Sequence, residues 1–139
     1  MLTQKQIDKL YLNATEVRLN SYSPYSNFKV GAALLMKDDK IIVGTNIENA
    51  SFGLTSCAER NALFSALSLG YKKEDIIGLL IVADCNVPCS PCGACRQVIS
   101  ELIDEDVDVI LTNLKKDFKM IKVKDLLPFS FTKEDLNNV

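Results

Sequence analysis

Ile76-Ile77-Gly78-Leu79-Leu80-Ile81-Val82-Ala83, followed after a polar, proline-containing stretch by Pro91-Cys92-Gly93-Ala94-Cys95-Arg96-Gln97-Val98-Ile99, is the segment on which the fold turns. A nearly continuous apolar run of this length suits a buried strand. Cys95, Val98, Ile99 and Leu102 then recur at helical spacing, which predicts a helix over about Cys92 to Ile103. A strand running into a helix marks an α/β protein, and such proteins bind ligands outside the carboxyl ends of their strands. The second cysteine pair lies at that position.

Upstream, Thr3 with Gln6 has the form of a capping box, and Ile7, Leu10, Tyr11, Ala14 and Val17 predict a helix over about residues 4 to 20. Phe28 to Met36 and Lys40 to Asn46 are apolar and separated by Lys37-Asp38-Asp39, which reads as a hairpin. Ala62, Ala66 and Leu69 share one face of a second helix that starts at Cys57-Ala58-Glu59 and stops at Gly70. Downstream, Val107 to Thr112 and Phe118 to Val123 read as strands, Lys124 to Leu127 as a short helical turn, and Phe129 to Val139 as a coil tail. The expected architecture is a three-layer α-β-α sandwich around one mixed five-stranded sheet.

The 139 residues fit one domain, taken as 1–139, large enough to hold a pocket without disulfide staples. No apolar run reaches the ~20 residues of a membrane helix, and Met1 to Gln6 lacks the apolar core of a signal peptide. A cytoplasmic location is expected, with no membrane partner. The net charge of −2 with dispersed lysines leaves no groove to neutralise a phosphate backbone, so long nucleic acid is not an expected partner. Five cysteines in a reducing compartment read as metal ligands rather than a disulfide framework.

There is no histidine in the chain, so thiols and carboxylates must supply any metal and proton chemistry. Cys92 and Cys95 stand one turn apart at a helix start, and Cys57 stands at another, where free N–H groups favour thiolates. Ser56 is the expected N-cap of one helix and Pro91 the expected first-turn residue of the other. Three cysteines leave the fourth tetrahedral position of a zinc ion open, the catalytic pattern, and Glu59 is then placed to serve as general base. Two alternatives stay open on spacing alone. Cys89-Ser90-Pro91-Cys92 is also a Cys-x-x-Cys, which permits a closed four-cysteine structural site, and Glu59 alone is equally an ordinary first-turn acid. Cys85 reads as a small buried hydrophobe at a strand end.

The flanking residues narrow this. Cys57-Ala58-Glu59 with Pro91-Cys92-Gly93-Ala94-Cys95 resembles the zinc nucleoside deaminase signature in its all-cysteine form. Ser23-Pro24-Tyr25-Ser26-Asn27-Phe28-Lys29-Val30-Gly31-Ala32-Ala33, Asn46-Ile47-Glu48-Asn49-Ala50, Ala58-Glu59-Arg60 and Cys95-Arg96-Gln97-Val98-Ile99 are similar to the small cytidine deaminases, in order and over about residues 4 to 136.

The resemblance implies one Zn2+ per chain on Cys57, Cys92 and Cys95, and hydrolytic conversion of cytidine and deoxycytidine to uridine and deoxyuridine in pyrimidine salvage. Glu59 would carry a proton from water to ring N3 and then to the departing amino group. Arg60 would neutralise the thiolates, with Arg96 a weaker candidate. The Ala58 N–H and Ser90 carbonyl would orient the ring, Phe28 would pack against it, and Asn46 and Glu48 would bind the ribose 3′-hydroxyl. A homotetramer with sites shared between subunits is also implied, with Phe131 entering a neighbouring site and Phe129 as a competing register. Phe52 stands where many relatives carry tyrosine. The alternatives are a deaminase of a related aminated heterocycle such as blasticidin, or a non-catalytic zinc-binding module holding four protein ligands.

Overall fold

The computed structural model describes residues 1–138, and five strands form one sheet in the order β2-β1-β3-β4-β5. In chain order the elements are α1 (Gln4–Arg18), β1 (Val30–Met36), β2 (Ile41–Thr45), α2 (Ala58–Ser68), β3 (Ile76–Ala83), α3 (Gly93–Leu102), β4 (Asp108–Asn113), β5 (Phe118–Lys122), α4 (Val123–Leu126) and α5 (Lys133–Asn137). β1 pairs antiparallel with both β2 and β3, β3 pairs parallel with β4 through the α3 crossover, and β5 returns antiparallel on β4. This is the mixed sheet expected from the sequence.

The alternation of strand side chains divides the core in two. Ala33, Leu35, Leu80, Val82 and Ile110 face α1, where they pack with Leu10 and Ala14. Ala32, Leu34, Leu79, Ile81 and Val109 face the opposite way, onto α2 and α3. Strands β1, β3 and β4 are buried along their whole length, apart from the half-buried Ile77, because helices cover both faces. Two glycines let the layers close. A Cβ on Gly31 would lie 1.9 Å from the Ala14 carbonyl oxygen of α1, and one on Gly44 would lie 2.4 Å from the Ala62 nitrogen of α2. The backbones of the two helices therefore rest directly on neighbouring strands.

Thr3 and Gln6 form the reciprocal capping box the sequence predicts, and Gly70 ends α2 with φ 97°. The tail departs from expectation. It carries α5, opened by Thr132, whose backbone N–H donates to Asp135 Oδ2 at 2.7 Å. Its Thr-x-x-Asp spacing follows the capping-box pattern with aspartate in place of the usual glutamate. Among the described residues no helix is long and apolar enough to cross a membrane.

One end of the sheet gathers the segments that matter for chemistry. Val30 at the start of β1 pairs with Ala83 at the end of β3, and Gly31 pairs with Thr45 at the end of β2. The connections leaving β2, β3 and β4 and the one entering β1 all emerge there.

Candidate functional site

Beyond that sheet end, three extended segments lie side by side. Tyr22 and Ser56 both bridge to Ile47, with Ile47 N to Ser56 O and Ser56 N to Ile47 O each 2.9 Å. The extended segment carrying Asn46 and Glu48, just after β2, is therefore fastened to the residue just before Cys57.

Cys57 and Cys92 are themselves the N-caps of α2 and α3, with extended backbone (φ −75°, ψ 158° and φ −69°, ψ 168°), and neither thiol caps its own helix. This corrects both expected helix starts: the cap of α2 is Cys57 and not Ser56, and Pro91 lies before the cap of α3 and not in its first turn. Ser56 instead donates its hydroxyl to Asn61 Oδ1 at 2.7 Å, and Pro91 precedes the cap, its carbonyl accepting from Arg96 Nε at 2.9 Å. The consequence is chemical: two helix N-termini, each with unpaired N–H groups and a positive dipole end, aim at the same thiols.

The Sγ atoms of Cys57, Cys92 and Cys95 lie within 4.8 Å of one another, and those of Cys57 and Cys92 are 3.9 Å apart. A tetrahedral zinc with Zn–S bonds of about 2.3 Å holds its sulfurs roughly 3.8 Å apart, so the set fits a metal. Cys89 is not part of this cluster. Its half-buried thiol is pushed up to about 12 by burial and by the neighbouring Cys85. Cys85 is half-buried against the core.

Cys57 is pulled down to about 5, first by a hydrogen bond from the Cys95 thiol and then by Arg60, while the fully buried Cys95 is pushed up because it supplies that proton. Arg60 Nη2 donates to Cys57 Sγ at 3.4 Å, and its basicity rises beside the Cys57 and Cys95 sulfurs. Its buried Nε has no partner among the protein atoms. A guanidinium held against thiols in this way fits a site that gathers negative charge. Arg96 points elsewhere: it joins Pro91 O to Leu126 O, the latter at 2.9 Å, and so ties the loop before Cys92 to α4.

Glu59, in the first turn of α2, is 4 % exposed, and burial pushes its carboxyl up to about 7. The charge of Cys57 adds to the rise, and its own N–H, Cys95 and Arg60 oppose it. It is a buried acid able to hold or release a proton near neutrality.

The family model for the cytidine and deoxycytidylate deaminase zinc-binding region matches residues 4–111. The chain belongs to this family. A cytidine deaminase of Halalkalibacterium halodurans is 54 % identical over 129 residues, 93 % of this chain and 96 % of that protein. One from Sporosarcina psychrophila is 48 % identical over 94 % of this chain and 95 % of its own length. The crystal structure of a cytidine deaminase from Burkholderia pseudomallei superposes with TM-score 0.88 at 46 % identity, covering 94 % of this chain and all of that one.

In this deaminase fold the other expected residues fall into three groups. Asn46, Glu48 and Phe28 come together: Asn46 Nδ2 donates to Phe28 O at 2.7 Å, and Asn46 Oδ1 accepts from Val30 N at 3.0 Å and from the Ser21 hydroxyl. Glu48 lines an open groove of about 420 Å³ with Tyr25, Ser26, Phe52 and Thr55. Its carboxyl is held below the ordinary range by the Ser26 hydroxyl. Ala58 is buried at the first position of α2, and Ser90 is exposed two residues before Cys92. Phe131 is not brought to the cysteines of its own chain: it lies by Ser100 and Glu101 at the far end of α3, 58 % exposed, its carbonyl accepting from Gln97 Nε2 at 2.8 Å. Phe129 is wholly exposed with φ 56°.

Sequence reasoning missed Asn61. Its Nδ2 donates to Thr45 O at 2.7 Å while its Oδ1 takes the Ser56 hydroxyl, so it pins the end of β2 to the residue before Cys57. The one available signal was its place four residues after Cys57 on the face toward β2.

Proposed function

We propose that this protein is a zinc-dependent cytidine deaminase, converting cytidine and deoxycytidine with water to uridine and deoxyuridine plus ammonia, in pyrimidine salvage. The observation that carries this reading is the junction of two helix N-caps, where three thiols within 4.8 Å of one another stand beside a buried carboxylic acid. Cys57, Cys92 and Cys95 would hold one zinc ion per chain. Bound there, zinc supplies Lewis-acid activation of a water at neutral pH.

The remaining work belongs to the chain. Glu59 takes a proton from the attacking water and delivers it to ring N3 as C4 becomes tetrahedral; it then takes the remaining proton from the new C4 hydroxyl and passes it to the amino group, so that the C4 carbonyl forms as ammonia leaves. Its burial supports this role, because a carboxyl titrating near neutrality serves both as base and as acid. Arg60 offsets thiolate charge that would otherwise oppose proton loss from the water. The Ala58 N–H, without a partner inside its helix, meets the ring carbonyl oxygen, and the Ser90 carbonyl accepts from the amino group.

Phe28 packs against the pyrimidine, while Asn46 and Glu48 take the sugar 3′-hydroxyl. With Asn46 Oδ1 engaged by Val30 and Ser21 and one Nδ2 hydrogen by the Phe28 carbonyl, the second amide hydrogen is left to donate, and Glu48 to accept, which suits a hydroxyl that does both. Tyr25, Phe28, Phe52, Leu54, Phe129 and Phe131 are exposed around the groove and on the tail. Their exposure supports a homotetramer in which Phe131 of one chain completes the site of another, and a single cytoplasmic domain over residues 1–139 completes the reading.

Metal content per chain, measured with the ultraviolet change on adding cytidine, deoxycytidine, cytosine and deoxycytidine monophosphate, tests the proposal. One zinc per chain with turnover of the two nucleosides is expected. No zinc and no deamination of any of the four would end it.

A further inference from the structure

The turn before β1 contains a hydroxyl that joins two of the proposed substrate contacts. Ser26 Oγ accepts from the Phe28 N–H at 3.0 Å and gives its own proton to Glu48 Oε2. The other carboxylate oxygen, Oε1, accepts from the Tyr25 N–H at 3.0 Å and the Ser26 N–H at 3.2 Å. Asn27 takes the left-handed φ of 57° and donates to Ser23 O at 2.9 Å, which turns the chain so that these donors converge on one carboxylate. Phe28 is held from its other side by Asn46. A chain of hydrogen bonds thus runs from the Glu48 carboxylate through the Ser26 hydroxyl and the Phe28 backbone to the Asn46 amide, and the Ser26 hydroxyl is the link that joins the carboxylate to Phe28.

We propose that Ser26 is a positioning residue for nucleoside recognition, its hydroxyl fixing the Glu48 carboxylate in one geometry and so setting the affinity for a sugar 3′-hydroxyl without touching the reacting ring. This rests on the assignment of Glu48 and Asn46 to that hydroxyl. A carboxylate anchored through both oxygens keeps its free lone pairs aimed into the groove, whereas without Ser26 Oγ the Oε2 side is free to rotate toward water. Ser26 itself is exposed in a turn, so its removal leaves the core intact.

The test compares deoxycytidine with 2′,3′-dideoxycytidine, which differ only at the 3′-hydroxyl. For Ser26→Ala, KM for deoxycytidine should rise about tenfold with kcat within about twofold of wild type, the size expected for losing a hydrogen bond to a charged group. The kcat/KM for dideoxycytidine should change by about twofold or less, because Glu48 has nothing there to hold. Ser26→Thr should restore the wild-type values. In a Glu48→Ala background, Ser26→Ala should add no further rise in KM.

Equal losses on both substrates, a fall in kcat at unchanged KM, or a full additional rise in the Glu48→Ala background would overturn the inference. So would a fall in metal content or in thermal midpoint, which would make Ser26 a folding residue. A wild-type protein inactive on every nucleoside would overturn the functional reading and this inference together, so the two failures are distinguishable.

Discussion

The cysteine cluster and the groove at Glu48 meet at the bridge between Ile47 and Ser56, yet they are held in different ways. Around the cysteines, each group sits on the first turn of a helix that is packed onto the sheet, and Cys95 and Glu59 are buried. Around Glu48, the groups sit on turns and extended loops and are fixed by hydrogen bonds that cross from one loop to another. Phe52, on the rim of that groove, is 77 % exposed and packs edge-to-face with Tyr25, with ring centroids 6.2 Å apart. The groups proposed to react are placed by regular elements whose positions the core dictates. Those proposed to bind the sugar are placed by loops on an open surface.

The sharpest way to break this contrast is to remove one carboxylate from each half. Glu59→Gln should keep its metal and lose turnover by about a thousandfold or more, the range of general acid–base catalysis. Glu48→Gln should act chiefly on KM, by about tenfold. Near-normal turnover of the Glu59 variant would remove it from the chemistry.

Next in size is the neutralising arginine. Arg60→Ala should weaken metal binding about 10- to 100-fold in competition with a chelator. Unchanged affinity would remove Arg60 from the stabilisation of the metal site. The role of packing is tested by two glycines: Gly44→Ala forces a Cβ to 2.4 Å from the α2 backbone and should lower unfolding free energy by about 2 to 3 kcal/mol. Gly53→Ala, with nothing within 4 Å, should fall within about 0.5 kcal/mol of wild type. Equal midpoints in denaturant for the two variants would contradict the close seating of α2. The smallest expected effect is that of Cys89→Ala, which should leave metal content unchanged.

Much of the cysteine half was legible in the sequence, because helix starts and a Cys-x-x-Cys are local patterns. Reading erred there at both helix starts: Ser56 and Pro91 have the right chemistry, but both lie before the helix, because the thiols of Cys57 and Cys92 occupy the cap positions. Membership of the cluster was open, since Cys89 has the same spacing to Cys92 as Cys92 to Cys95, and only the distances in the folded chain, which gather Cys57, Cys92 and Cys95, separate them. The groove was less legible. Asn61, Ser26 and the true partners of Arg96 act through bonds to distant segments, such as Asn61 to Thr45 and Arg96 to Leu126, which no local pattern encodes. The helix in the tail was missed because it is short and wholly exposed, leaving its capping sequence as the one signal.

The central claim is that Cys57, Cys92 and Cys95 form an open metal site. X-ray absorption at the zinc edge of the loaded protein tests it most directly. Three sulfur neighbours at about 2.3 Å with one oxygen or nitrogen neighbour are predicted, unchanged in Cys89→Ala. A four-sulfur shell that loses a neighbour in that variant would contradict it.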